Sequence, residues 1–424
     1  MNKKSCFIPA DILLPDFSKI DGKKWATIAC DQFTSQPEYW HDAEKIAKDS
    51  PSALNLILPE AYLDREDELL VKISESMAAY VNDKILEEHP ATMIYIERVQ
   101  SDGRIRRGVV GAVDLEHYDW HPGTETLVRA TEGTVPERIP PRVKIRKKAS
   151  LELPHIMLLL DDPDRKIIEG IAARVDALTP AYDFELMLGG GSIKAYYLDA
   201  EGIDAVTEGV AALSAPDAAK LKYNIDGKAP LALAVGDGNH SLATARAIYE
   251  ELKAEIGVEA AMAHPARFAL AELVNIHDDA LDFEPIYRVI FNVDPEAFIK
   301  EFSDYCDSLS GSAPRQSVKV IVGKNEREVV ISAPEHQLTV GTVQRFLDVY
   351  TKTNPTAEVD YIHGEKDVAD LALRPNTVSM IFDGMTKEQL FCSVICDGAL
   401  PRKTFSMGHA QDKRYYIEAR KITI

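Results

Sequence analysis

The stretch Leu231–Glu250, LALAVGDGNHSLATARAIYE, constrains this chain more than any other. Leu231 to Val235 are apolar or small and read as a short buried strand. The pattern breaks at Gly236-Asp237-Gly238 and restarts with Leu242, Ala245, Ile248 and Tyr249 at helical spacing. A strand, a tight turn and a helix N-terminus therefore follow one another directly. Such a junction leaves backbone N–H groups unpaired at the positive end of the helix dipole, so Gly236, Gly238, Asn239 and Ser241 form a candidate phosphate cradle. Asp237 and His240 bring a carboxylate and an imidazole to it, suited to acid–base work, with Asp237 also a candidate metal ligand. The same residues are ordinary turn formers, and on that alternative Ser241 or Asn239 simply caps the helix.

Net charge bears on what such a cradle holds. With 48 Lys and Arg against 68 Asp and Glu, the formal charge is −20, which argues against nucleic acid as the partner, since phosphate-backbone binding is driven by Lys and Arg. One basic run stands out, Arg138–Lys148 (RIPPRVKIRKK), and its Arg142 and Lys144 are candidate cations for a phosphate-bearing ligand, or else part of a solvated loop. The five cysteines are scattered without CxxC spacing, so neither a disulfide framework nor a zinc ribbon is expected. No apolar run approaches a membrane span and the N-terminus has no signal-like region, from which a cytoplasmic protein is expected.

A mixed α/β (α+β) chain is expected, with a main domain over 1–291 and a smaller C-terminal α/β subdomain over 292–424. The loop CDQFTSQPEYW after a short strand places Asp31, Gln32 and Thr34 where ligand contacts collect, although Asp31 and Ser35 also suit a cap for a helix over 38–48. The spacing predicts a helix over 61–88, and the Asp-Gly turn at 102–103 predicts a hairpin between ATMIYIERV and GRIRRGVVGAVDLE. Residues 121–148 are turn-rich and read as a mobile loop. Gly189-Gly190-Gly191-Ser192 lacks a P-loop lysine and reads as a hairpin turn, while FCSVIC reads as a strand. His277 and Asp278 follow a further strand, and a metal site of Asp237, His240, His277 and Asp278 is one alternative to four separate polar loop residues.

Several motifs carry a resemblance. DGNHSLATA resembles the DGHHRYxTA signature of the Domain of Unknown Function 1015 family, which in turn resembles the loop of the ParB/sulfiredoxin superfamily. HPGTET at 121–126, VRAT at 128–131, PHIMLLLDD at 154–162 and PRKTFSMG at 401–408 are similar to further family segments. Asn239 and Ser241 depart from the pattern, standing where the family has His and Arg, so a phosphate-binding guanidinium is missing from the loop. The resemblance implies a ParB/sulfiredoxin-like core with large insertions. It also implies kinship with kinases that phosphorylate free serine.

No G-x-S-x-G elbow or dinucleotide fingerprint appears, and the anion loop with Asp and His favours phosphoryl transfer over acyl transfer. The expectation is a nucleotide-dependent phosphotransferase acting on free serine or phosphoserine, with ADP or ATP as co-substrate and Mg²⁺ as cofactor. In it the 238–241 loop holds phosphate, Asp237 holds Mg²⁺ or orients the nucleophile, His240 is the general acid or base, and Asp31, Gln32, Thr34 and His277 contact substrate. The alternatives are a non-catalytic nucleotide or phospho-metabolite sensor and a ParB-like nucleic-acid protein, the latter disfavoured by the charge. The oligomeric state stays open.

Overall fold

Hydrophobic alternation on the 105–114 strand sets the architecture. Val109 and Val113 point into one apolar cluster, and Val110 and Ala112 into another. A strand apolar on both sides must be covered on both sides. It sits mid-sheet in the computed structural model, which describes residues 5–134 and 136–423 apart from the side chains of Arg138 and Pro141. The chain divides into two units, one of residues 1–130, 134–281 and 409–424, the other of 131–133 and 282–408. The sequence division at 291/292 differs, because Tyr415–Tyr416 and Arg420–Lys421 pair with strands of the first unit and Phe283–Phe291 belongs to the sheet of the second.

The first unit is built on a ten-stranded mixed sheet. Its path runs Thr179–Glu185, Ser192–Tyr197, Ile94–Val99, Ile105–Asp114, Phe268–Asn275, Met157–Leu160, Leu233–Asp237, Val128–Ala130 and Tyr118–Asp119, with Phe7–Ile8 added beside Ile105–Asp114. The hairpin at 94–114 forms as expected, and the Gly-rich segment at 189–191 turns between the paired strands Thr179–Glu185 and Ser192–Tyr197. One register decides where the chemistry lies. Met157–Leu160 runs parallel to Phe268–Asn275 but antiparallel to Leu233–Asp237, so Asp237 pairs with Met157 while Asn275 pairs with Leu160. The ends of these strands therefore lie at opposite edges of the sheet.

Several local expectations are corrected. The helix expected over 61–88 spans Glu66–Asn82, and Leu86–Thr92 is a strand paired with Ala10–Pro15. Within the segment expected to be a mobile loop, Ile139–Arg146 is a helix packed on the helix Asn239–Ile256. FCSVIC lies in the helix Lys387–Asp397, because Thr386 and Gln389 form a reciprocal capping box that starts a helix there. Helix Pro37–Ala47 begins after Gln36 without a side-chain cap, so neither Asp31 nor Ser35 serves it. The second unit carries an antiparallel sheet ordered Asn325–Ile331, Gln316–Val322, Thr377–Phe382, Phe283–Phe291 and Glu358–His363. Within it the buried Arg288 donates to Gln344 and to the carbonyls of Ile286 and Lys403, and burial lowers its pKa to about 10.

Charges are also buried in the first unit. Glu272, fully buried on the Phe268–Asn275 strand, accepts from Arg414 at 2.5 Å and Arg106 at 3.3 Å, and Arg414 also binds Glu418 at 2.6 Å. Gly108 makes room for this carboxylate, since a Cβ there would lie 2.7 Å from Glu272 Oε1. Burial raises the Glu272 carboxyl, but the two guanidiniums outweigh it and hold the group ionised. Glu272→Gln, which takes the counter-charge from Arg106 and leaves Arg414 with Glu418 alone, is expected to destabilise the fold by about 3–5 kcal/mol. Urea unfolding of the variant checks this, and an unchanged midpoint would contradict it.

Candidate active site

The turn at the end of Leu233–Asp237 is shaped by Gly238, whose φ of +79° suits glycine and whose Cβ, if present, would meet the Ile156 backbone at 2.9 Å. Gly236 likewise packs against Leu159. The helix Asn239–Ile256 follows, with Leu242, Ala245 and Tyr249 buried beneath it. Gly238 is its N-cap and supplies no side-chain hydrogen bond, and Ser241 and Asn239 do not cap it either. The helix start therefore has no side-chain cap from its N-cap residue, a condition that suits an anion site there. Asn239 Oδ1 is a buried acceptor without a hydrogen-bond partner.

Asp237 is held from two sides, its Oδ1 accepting from Gly238 N at 2.8 Å and its Oδ2 lying 3.1 Å from Lys413 Nζ. Burial pushes its carboxyl upward, but Lys413, then His155, outweigh that and keep it below the ordinary carboxylate range. His155 completes the surround. Its Nε2 lies 3.1 Å from Ser241 Oγ and 4.0 Å from Asp31 Oδ2, and its Nδ1 lies 2.7 Å from Tyr416 Oη. Tyr416 is buried; it donates to Cys30 Sγ at 3.2 Å and accepts from Cys30 N at 3.3 Å. Burial pushes the Cys30 thiol up to about 12, so the sulfur stays protonated. Beside this chain opens a mainly apolar cavity of about 230 Å³, walled by Leu56, Leu58, Leu70, Ile73 and Met77 and reached by Ser241, His155 and Tyr416.

The structure thus brings together Asp31, Gly236, Asp237, Gly238, Asn239 and Ser241. Gln32 joins them through a 3.0 Å bond to Asp31. His240 stands on the same first helical turn, half-buried, while Thr34 is exposed on the 31–36 loop. Arg142 lines the cavity but is paired with Glu60, and the exposed Lys144 is paired with Glu66 and Asp67. His277 is not brought in. It lies past the far end of Phe268–Asn275, bonded to Asp161 at 2.7 Å, five residues or roughly 16 Å of chain beyond Glu272, which is level with Asp237. The same register separates Asp278 from Asp237, so a four-residue metal site does not form. No group of three or more metal-ligating side chains suited to an ion occurs among the described residues.

Sequence reasoning missed His155, Lys413 and Tyr416. Lys413 and Tyr416 come from the C-terminal segment, which reaches the site because Tyr415–Tyr416 pairs with Thr27–Ile28.

The family model described as protein of unknown function, DUF1015, matches residues 16–350. No curated protein matches the chain. Among solved structures it is similar to a free serine kinase variant in complex with AMP, at 9% identity and TM-score 0.37, covering 74% of this chain and 91% of the other. A free serine kinase variant in complex with ADP gives 9% and 0.37 over 76% and 93%. A conserved hypothetical protein from Pyrococcus furiosus gives 11% and 0.33 over 74% and 94%. Overlaps this loose carry no inference about chemistry. Among the described residues no helix is long and apolar enough to cross a membrane.

The depressed Asp237 pKa has a pH signature. Its contribution to stability is complete above the ordinary carboxylate pKa and is lost as pH falls through the lower folded-state value. Lys413→Met removes the larger of the two interactions that lower it. The Asp237 carboxyl should then titrate at higher pH in an NMR titration, and acid unfolding should begin at a correspondingly higher pH.

Proposed function

Because the chain belongs to the DUF1015 family of proteins of unknown function, we propose its chemistry from its own residues: a nucleotide-dependent phosphotransferase acting on a small hydroxylated molecule, free serine or phosphoserine. The observation that carries this reading is the helix start at Gly238–Ser241, left without a side-chain cap and bordered by the Asp237–Lys413 pair. Phosphoryl transfer asks chiefly for placement of phosphate oxygens, neutralisation of their charge and a base for the attacking hydroxyl. The first-turn N–H groups supply placement, and Lys413 supplies positive charge in place of the guanidinium absent at Ser241. His155 takes the base role that sequence reasoning gave to His240, because its imidazole reaches Ser241 while Asp31 stands near to stabilise the imidazolium.

Mg²⁺ is commonly held through one or two carboxylates together with substrate phosphates, and Asp237 is the carboxylate at this turn that fits the part. Bound there, the ion would neutralise phosphate charge. Serine as the acceptor is supported by the likeness of DGNHSLATA to the loop of serine-phosphorylating kinases. ATP, ADP, serine and phosphoserine, each with and without Mg²⁺, are therefore the ligands to test by thermal shift, since a ligand of the native state raises its melting temperature. A rise with nucleotide that Asp237→Asn and Lys413→Met each abolish, with phosphoserine formed from serine and ATP, is expected. No shift with any nucleotide would refute the reading.

A further inference from the structure

A second chemistry is legible on the cavity side of the same turn. Tyr416 Oη accepts from Cys30 N and gives its proton to Cys30 Sγ, which assigns the third contact, to His155 Nδ1, as one that the imidazole donates. That tautomer leaves Nε2 as the acceptor facing Ser241 Oγ at 3.1 Å. A hydroxyl within hydrogen-bond reach of a base whose other nitrogen is held by a third group is the geometry of an activated nucleophile. Asp31 Oδ2, 4.0 Å from Nε2, would face a proton arriving there. Ser241 is on the first turn of its helix, where backbone N–H groups lack a side-chain cap and can receive a developing oxyanion.

The cavity names the substrate class. Its walls are mainly apolar and its volume is about 230 Å³; Ser241, Thr244, His155 and Tyr416 line it together with Lys148 and the ion pairs Arg142–Glu60 and Arg146–Glu152. Free serine has no apolar body to fill such a space. We propose that Ser241 and His155 form a nucleophile–base pair that cleaves small esters with an apolar acyl group, the acyl chain lying among Leu56, Leu70, Ile73 and Met77. Ser241 Oγ adds to the carbonyl carbon as its proton passes to His155 Nε2. The adduct collapses with cleavage of the bond to the alcohol oxygen, which leaves with that proton. Water then attacks the acyl-Ser241 ester, losing a proton to Nε2, and the carboxylic acid departs as Ser241 recovers its proton. The lack of a G-x-S-x-G elbow does not touch this pair, because its base comes from the loop before Met157–Leu160. This activity goes beyond phosphoryl transfer; it shares His155 with that reading but needs neither Asp237 nor Lys413.

The test uses the full chain and a fluorophosphonate probe, followed by peptide mapping. One adduct per chain on the peptide that contains Ser241 is expected, and no adduct, or one on another serine, overturns the proposal. Hydrolysis of p-nitrophenyl butyrate should fall by about 100-fold or more in both Ser241→Ala and His155→Gln. Retention of that activity in folded Ser241→Ala overturns it as well. Met77→Ala, which lengthens the cavity, should move the preference from butyrate toward octanoate, and an unchanged chain-length preference would remove the cavity from the proposal. Nucleotide thermal shifts read on Asp237→Asn and Lys413→Met, which leave Ser241 and His155 intact, report on phosphoryl transfer separately.

Discussion

The buried carboxylate of Glu272 is the interaction on which the first unit depends. A charge taken out of water costs several kcal/mol unless it is paired and hydrogen-bonded, and Glu272 is paired with two arginines from different parts of the chain. Arg106 comes from the neighbouring strand. Arg414 comes from the C-terminal segment, where its second guanidinium nitrogen binds Glu418 and its Nε binds the Pro154 carbonyl. Arg98, also buried, donates to the carbonyls of Gln411 and Lys413, and Arg420 binds Glu152 at 2.8 Å. Once these groups are desolvated, sliding the segment by a residue would leave several charges unpaired. The register of 411–420 is thereby fixed by electrostatics as much as by its short strands.

That fixation is what makes the site. Lys413 adjoins Arg414, and Tyr416 lies two residues beyond, so the segment held by Glu272 also sets the cation on Asp237 and the hydroxyl on His155. Pro154, whose carbonyl Arg414 grips, immediately precedes His155. The imidazole is therefore tied by its backbone neighbour and by its ring to the same segment. The buried ion network and the candidate site form one mechanical unit, and Gly108 in the first and Gly238 in the second are places where a side chain would not fit.

Much of this was legible in the sequence where the signal is local. The Leu231–Glu250 junction, the hairpin at 94–114 and the turn at 189–191 follow from periodicity and turn residues, and the structure has them. The failures have physical causes. FCSVIC has no periodicity strong enough to separate a short apolar helix from a strand, and only the Thr386–Gln389 box distinguishes them. His277 was expected at the site and His155 was not, yet His155 is in the site and His277 outside it. The difference is the direction of Met157–Leu160 relative to its two neighbours, a non-local pairing that no residue in the strand encodes by itself. Lys413 was hidden for the same reason, its role being set by a glutamate far away in sequence.

The departures from the family motif gain a physical meaning in this setting. An arginine at position 241 would bring a guanidinium to the helix start and stand against the His155 imidazole, where a positive neighbour would oppose protonation of the ring. Serine is short, accepts or donates a single hydrogen bond, and leaves the cavity open beside it. Positive charge at the turn then has to come from elsewhere, and Lys413 supplies it from the opposite side of Asp237. Moving the cation from the helix to the C-terminal segment frees one face of the turn for a hydroxyl and its base while the other keeps a carboxylate–ammonium pair. A single helix start can in this way present two different faces, one bearing a carboxylate–ammonium pair, the other a hydroxyl and an imidazole beside a mainly apolar cavity.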